Sequence, residues 1–227
     1  FSDAQREPIP FANFLGTVYH GLPENLHQPT FSQRGGYFAF LGRISPEKRL
    51  DRAIEIAHAV GFPLKIAAKV DAVDVEYFES KIKPLLKSSD IEFVGEIADA
   101  DKSRFLGEAA ALLFPINWPE PFGLVMIEAM ACGTPVLAFR RGSVPEVIDE
   151  GITGFVVDDI ESAIATIPSL LNLDRRRVRQ RFEERFTAAR MAKSYVSLYS
   201  RAFASYGRAA KVHTEDAIAP SLETVVN

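Results

Sequence analysis

Residues 111–139 read ALLFPINWPEPFGLVMIEAMACGTPVLAF, and this stretch decides the fold. Its two ends, Ala111–Phe114 and Pro135–Phe139, are short apolar runs without polar alternation, as expected for strands buried on both faces. Between them, Val125, Ala129 and Cys132 recur at helical spacing. The stretch therefore predicts a strand, a helix and a second strand parallel to the first.

The same alternation of strand and helix patterns covers most of the chain. Further apolar runs predict strands at Tyr37–Leu41, Leu64–Ala68, Ile91–Val94 and Phe155–Val157. Helical spacing relates Leu50/Ala53/Ile54/Ala57, Val75/Phe78/Ile82/Leu85 and Phe105/Ala109. Because crossovers between parallel strands are right-handed, we expect an α/β fold. It would be a Rossmann-like, doubly wound parallel sheet of about six strands, followed by C-terminal helices.

Residues 35–187 carry this pattern and would form the Rossmann-like domain. Residues 1–34 are rich in proline, contain one short strand candidate at Thr17–Tyr19, and predict the tail of a preceding domain with an interdomain linker. Residues 188–227 predict a helix from Ala188 to about Tyr206 and a frayed tail over 207–227.

The start of the chain points to a larger protein. It begins at Phe1 and its first methionine is Met126, so we expect a preceding part. The first residues lack the basic and apolar regions of a signal peptide. We therefore expect an N-terminal domain of the same protein, absent from this chain, to be a partner of this one.

Composition excludes several classes of protein. The 227 residues are 47% hydrophobic and 25% charged, which excludes a disordered, collagenous or coiled-coil chain. The net charge of -4 argues against a general nucleic-acid binder. The single Cys132 excludes an intrachain disulfide and favours a reducing, cytoplasmic location. The longest uncharged apolar run, Ala109–Ile116, is too short to span a membrane.

A first basic cluster, residues 43–52, follows the first strand, at the sheet edge where open α/β folds bind ligands. Gly42 would let a ligand approach the backbone. Arg43 can donate two hydrogen bonds to phosphate oxygens, and Lys48 adds a point charge. The alternative is a solvated basic turn. The spacing is not that of a P-loop or a dinucleotide-binding glycine motif.

A second basic cluster, residues 175–181, contains five arginines. It predicts a solvated helix face or a contact with the absent domain. Contact with an anionic membrane surface is the alternative.

The segment EPFGLVMIEAMACGTP, residues 120–135, combines a tight turn with a helix start. Free backbone N–H groups there favour an anion. Glu128 falls on the apolar side of the helix and needs a partner. Eight helical residues rise about 12 Å between Glu120 and Glu128, too far for a glycosidase pair at about 5–9.5 Å. The two glutamates suit the two ends of an extended ligand, unless they are unrelated.

Metal and nucleophile candidates have simpler explanations. Asp99 and Asp101 could hold a divalent cation, but an N-cap and a first-turn acid of the next helix explain both. The four histidines have no ligand spacing. Cys132, at a helix end, favours packing over nucleophilic chemistry. We therefore expect no metal and no cofactor.

Five motifs follow one another along the chain: Gly42-Arg43 with Lys48, Gly95-Glu96-Ile97 with Lys102, Glu120 to Val136, Gly142-Ser-Val-Pro-Glu146, and Gly151-Ile-Thr-Gly154. In this order, they resemble the donor-binding, C-terminal half of a family 4 retaining glycosyltransferase of the GT-B fold, over roughly residues 14–206. Arg49 departs from the glycine that often follows the family lysine.

The resemblance implies a role for each matching residue. Arg43 and Lys48 would bind the diphosphate of a nucleotide-diphosphate sugar and stabilise the leaving nucleotide, and Glu120 would contact the transferred sugar. The remaining positions would bind the nucleotide: Glu128 the ribose hydroxyls, Ile97 and Lys102 the base, and Phe122, Gly123, Leu124 and Val125 through their backbone at the helix start. Gly42 would lie against the donor.

The resemblance also implies retention of configuration, hexosyl transfer without metal, and an acceptor site supplied by the N-terminal domain. The isolated chain would then bind the donor but transfer little or nothing. The acceptor is not defined by these residues. Two alternatives are a GT-B nucleotide-sugar epimerase and a non-catalytic nucleotide-binding module.

Overall fold

The computed structural model describes residues 1–31 and 36–216, with side chains up to residue 204. Within these ranges, six parallel strands form one sheet in the order β3–β2–β1–β4–β5–β6. All six predicted strands are confirmed. Their bounds are β1 Phe38–Arg43, β2 Leu64–Lys69, β3 Ile91–Gly95, β4 Ala111–Phe114, β5 Val136–Phe139 and β6 Gly154–Val157.

Helices cover both faces of this sheet. α1 and α6 pack on one face and α3, α4 and α7 on the other. The predicted doubly wound architecture is therefore confirmed. The helices are α1 Leu50–Val60, α2 Val75–Tyr77, α3 Asp99–Gly107, α4 Leu124–Ala131, α5 Val144–Val147, α6 Ile160–Leu171, α7 Arg175–Arg185 and α8 Ala188–Asp216.

The central strands show why the apolar runs lack alternation. Every residue of β4 and β5 is buried. In β1, Phe38 and Phe40 pack with α1 and α6, while Ala39 packs on the opposite side. Both faces of a strand need apolar residues when helices cover both.

Two predictions are wrong in detail. The helical pattern over 75–85 is broken into α2, a π-helical turn over Phe78–Ile82 and 3-10 turns over Lys83–Lys87. Pro84 lacks the N–H that a continuous helix requires there. Thr17–Tyr19 forms no strand; nearby, a single bridge joins Leu22 to Thr187.

The C-terminal helix is longer than predicted. α8 continues past Tyr206 to Asp216, so a frayed tail from residue 207 is wrong for its first part. Residues 208–211, Arg-Ala-Ala-Lys, favour helix. The rest of the predicted tail, residues 217–227, lies outside the described residues. None of the helices in the described ranges combines the length and hydropathy that a membrane span needs.

The predicted solvated face of the second basic cluster is wrong for two of its arginines. Arg175 and Arg179 are each only 8% exposed. The Arg175 guanidinium donates to the Gly107 and Ala109 carbonyls at 2.7 Å and to the Thr30 carbonyl at 2.9 Å. These bonds fasten α7 to the end of α3 and to the segment that precedes the sheet.

Arg179 extends the contact between α7 and residues 22–31, which we call the α7 seam. It donates to the carbonyls of Glu24 at 2.8 Å, His27 at 3.1 Å and Ala131 at 2.6 Å. Residues 22–31 are thus held against α7 by two buried guanidinium groups. Arg177, on the same helix, is exposed.

Candidate active site

A trench runs along the carboxyl ends of the strands, beside the first turn of α4. It consists of two cavities, of about 300 Å³ and about 150 Å³. Leu41, Gly42 and Val125 line both, so the cavities adjoin. The larger is also lined by Ala67, Ala68, Lys69, Glu96, Ile97, Asp99, Lys102 and Glu128, and the smaller by Phe40, Lys48, Phe114, Glu120, Gly123 and Leu124.

One lysine–carboxylate pair lies in the smaller cavity. The Lys48 Nζ donates to Glu120 Oε2 at 2.6 Å, and the two side chains are 24% and 13% exposed. Lys48 Nζ also lies 5.5 Å from the centre of the Phe114 ring. The Asn117 N–H donates to the Glu47 carbonyl at 2.8 Å and ties the two loops together. The structure therefore brings together a cation and a carboxylate from distant parts of the sequence.

Arg49 adopts a left-handed backbone conformation, with φ of 52°. This conformation costs an L-residue about 1–2 kcal/mol, which explains why glycine suits the position after the lysine. Arg49 is held by Asp51, whose carboxylate accepts from its Nε and Nη2 at 2.9 Å and 2.7 Å. The departure from the family pattern is accommodated in this way, and α1 begins at the next residue, Leu50.

Glu120 lies in a loop, because α4 begins only at Leu124. The 12 Å estimate treated all residues from Glu120 to Glu128 as helical, and that premise is wrong. The Glu120 carbonyl accepts from the Ser143 N–H at 2.9 Å. A Cβ on Gly142 would lie 2.4 Å from that carbonyl oxygen. The Gly142 motif therefore holds the Glu120 loop in place.

The start of α4 presents backbone to the trench. Gly123 precedes the helix with a φ of 77°, which favours glycine. Phe122 is 3% exposed, its ring packs near Tyr19, His20 and Phe186, and it lines neither cavity. Leu124 lines the smaller cavity and Val125 lines both.

A second lysine–carboxylate pair lies in the larger cavity. Lys102 Nζ donates to Glu128 Oε1 at 3.1 Å and lies 2.9 Å from Asp99 Oδ1. Partial burial opposes protonation of Lys102, but the Asp99 and Glu128 carboxylates outweigh it and raise the pKa of the amine. The carboxylate that needed a partner in the sequence has one in Lys102.

The N-cap role of Asp99 is wrong. Ala98 is the N-cap of α3, and Asp99 and Asp101 both lie in the first helical turn. There they pair with Lys102 and Arg104. Across residues 1–31 and 36–216, no group of three or more potential ligands is arranged to hold a metal ion.

Cys132 is a packing residue. Its side chain is fully buried. Burial raises the pKa of the thiol to about 12, which keeps it protonated at neutral pH.

Arg43 is the predicted cation that the structure does not bring to the trench. Its guanidinium donates to Glu47 Oε1 at 2.7 Å. Its nitrogens also lie 3.6 Å from Asp71 Oδ2 and 3.9 Å from Asp74 Oδ2. It lines neither of the two cavities.

Sequence reasoning missed several residues around the trench. Lys69, at the end of β2, and Glu96 line the larger cavity. Their place at the carboxyl edge of strands next to β1 was a usable signal. Glu146 accepts from the N–H groups of Asp3 and Ala4 at 2.7 Å and 2.8 Å, and no pattern in the sequence pairs these residues.

The fold and trench define a Rossmann-like α/β domain with a ligand site at the carboxyl edge of its sheet. Residues 23–187 match the family model described as glycosyl transferases group 1. Since the match covers most of the chain, this protein belongs to that family, whose fold is GT-B.

Two curated relatives come from Mycolicibacterium smegmatis. Alpha-maltose-1-phosphate synthase is 29% identical over 72% of this chain and 47% of that protein. D-inositol 3-phosphate glycosyltransferase is 30% identical over 74% of this chain and 41% of that protein. The chain thus spans less than half the length of these two relatives.

Two solved structures share the fold. AviGT4, a glycosyltransferase involved in avilamycin A biosynthesis, superposes with a TM-score of 0.77 at 25% identity, over 90% of this chain and 62% of that one. Anabaena HepE, solved in complex with UDP and glucose, gives a TM-score of 0.69 at 19% identity, over 82% of this chain and 57% of that one.

Proposed function

We propose that this chain is the donor-binding half of a retaining glycosyltransferase, which moves a hexosyl group from a nucleotide-diphosphate sugar to an acceptor. The observation that carries the proposal is the pair of lysine–carboxylate contacts, Lys48–Glu120 and Lys102–Glu128, in two adjoining cavities. Family membership and the UDP bound to HepE support a nucleotide sugar as the donor.

The diphosphate would lie between the two cavities, against Gly42 and the first turn of α4. Backbone N–H groups and the positive end of the helix dipole favour an anion there. Lys48 would neutralise the charge that develops on the leaving nucleotide, the largest electrostatic demand of the reaction. Transfer would need neither a metal nor a protein nucleophile.

The two carboxylates would bind hydroxyl groups. Glu128 would accept hydrogen bonds from the ribose, with Ile97 and Lys102 beside the base. Glu120 would accept from the transferred sugar while Lys48 turns to the phosphate. Carboxylate oxygens accept hydrogen bonds, which is what the hydroxyl groups of the ribose and the sugar require.

The acceptor would bind to the wall supplied by the N-terminal domain. We therefore propose that the isolated chain binds the donor and transfers little. The short coverage of the relatives supports an incomplete enzyme.

Titration calorimetry with UDP-, GDP- and ADP-sugars tests the proposal. We expect one class to bind, and Glu128→Ala to weaken it by roughly ten- to a hundredfold, because hydrogen bonds to a charged group contribute about 1.5–3 kcal/mol. Glu92→Ala is the matched control, since Glu92 pairs with Lys65 at 3.0 Å outside the trench. Absence of binding by all three classes, or unchanged binding by Glu128→Ala, would refute the site.

A further inference from the structure

The guanidinium of Arg43 is surrounded by acids that, like Arg43 itself, line neither cavity of the trench. Glu47 comes from the turn after β1, and Asp71 and Asp74 come from the segment after β2. Only the Glu47 contact, at 2.7 Å, is a hydrogen bond. The contacts to Asp71 and Asp74, at 3.6 Å and 3.9 Å, are looser ion pairs.

We propose that Asp71 and Asp74 are positioning residues that hold Arg43 out of the trench and compete with the donor diphosphate for its guanidinium. The inference rests on the proposed function, because it assumes that a diphosphate binds beside Gly42. In this proposal the protein's own carboxylates and the phosphates of the ligand compete for the same guanidinium.

Asp74 makes the competition asymmetric. Its side chain is only 13% exposed, and Oδ2 is buried without a hydrogen-bond donor among the described residues. A buried carboxylate oxygen without a donor is costly, so Asp74 gains from a guanidinium nearby. Asp71 is different, since Lys69 Nζ also lies 3.1 Å from it. Asp74 is therefore the stronger competitor.

The flexible side chain of Arg43 allows exchange. It is 45% exposed and follows Gly42, which lines both cavities. A diphosphate at Gly42 can offer two oxygens to the planar guanidinium, which would replace both the single hydrogen bond to Glu47 and the two looser ion pairs. Donor binding would then move Arg43 from the acids to the phosphate.

The test is a double-mutant cycle, with binding of UDP, GDP and ADP measured by calorimetry. The best of these three ligands is used throughout. Neutralising the acids in Asp71→Asn/Asp74→Asn should tighten binding roughly three- to tenfold, because each partly exposed pair contributes about 0.2–1 kcal/mol. In an Arg43→Gln background the same two substitutions should change binding less than twofold.

Asp90→Asn is the matched control. Asp90 has the same 32% exposure as Asp71 but precedes β3 at the opposite edge of the sheet, and its loss should leave affinity unchanged. Failure of all three nucleotides to bind the native chain would overturn the proposed function and this inference with it. If the native chain binds but the double substitution weakens binding, or acts equally in both backgrounds, the competition is refuted and the donor site stands.

Discussion

Arg43, Lys48 and Arg49 each contact a carboxylate, whereas Arg175 and Arg179 of α7 donate mainly to backbone carbonyls, although Arg179 also pairs with Glu183 at 2.6 Å. The first group is partly exposed and the second is almost wholly buried. A cation paired with a mobile carboxylate can exchange it for a ligand. A guanidinium bound to several fixed carbonyls cannot leave without orphaning them. Two basic clusters of similar composition therefore serve folding in one case and, in our proposal, donor binding in the other.

The largest effect should come from Arg175→Met. This change keeps much of the side-chain volume but leaves the Gly107, Ala109 and Thr30 carbonyls without their donor. We expect the free energy of unfolding to fall by about 3–5 kcal/mol, measured by urea denaturation. Arg177→Met, on the exposed side of α7, should cost under about 0.5 kcal/mol. Equal losses in the two variants would break the comparison.

Lys48→Met should instead lower donor affinity and leave stability almost unchanged. Donor affinity should fall roughly tenfold or more, because a charge-assisted contact with phosphate is lost, while the unfolding free energy changes by less than about 1 kcal/mol. Calorimetry and urea denaturation on the same samples check both. Raising salt from about 0.05 M to about 0.5 M should weaken binding to the native chain more than to Lys48→Met, since exposed charges are screened. A stability loss comparable to that of Arg175→Met would contradict the division.

The smallest effect should be the pH dependence of stability that His27 adds at the α7 seam. His27 is 2% exposed, its carbonyl accepts from Arg179, and its Nδ1 lies 3.1 Å from Ser103 Oγ. Burial lowers the pKa of His27, with smaller opposing contributions from Glu128 and Asp99 and supporting ones from Lys102 and Arg179. The unfolded chain therefore binds a proton more readily than the folded one.

The contribution of neutral His27 to the free energy of unfolding is fully present above the ordinary histidine pKa. It is lost as the pH falls below that value. The loss cannot exceed about 1.4 kcal/mol per pH unit for one proton. Urea denaturation between about pH 7.5 and about pH 5.5 should show a shallower decline for His27→Gln than for the native chain. His20, whose pKa is also lowered by burial, contributes in the same direction to both proteins. Identical slopes would exclude His27 as the source.

Much of the fold could be predicted because burial on both faces leaves a strong mark in composition. β4 and β5 are apolar at every position, and the helices between strands keep their apolar stripes. The interrupted helix over 75–87 was harder, since a pattern of apolar spacing persists through π and 3-10 turns. Pro84 was the one local signal.

The site likewise contains residues that could be placed from the sequence and residues that could not. Gly42, Lys48, Glu120 and Glu128 could be placed together because each lies at the carboxyl edge of the sheet, in the loop before α4 or on α4 itself. The acids beside Arg43 could not, since Asp71 and Asp74 reach it only through the adjacency of β1 and β2. The burial of Arg175 could not be predicted for another reason. Every residue has a backbone carbonyl, so these acceptors give no distinctive pattern in a sequence.

The seam between α7 and residues 22–31 has a consequence for recombination between related enzymes. Besides the arginine contacts, the Thr30 N–H donates to the Cys132 carbonyl at 3.1 Å and the Leu22 N–H to Phe186 at 2.9 Å. A domain grafted from residue 35 onward would arrive without the carbonyls of Glu24, His27 and Thr30. A crossover placed before Leu22 carries the whole seam with the graft, and chimaeras joined there should be the ones that fold.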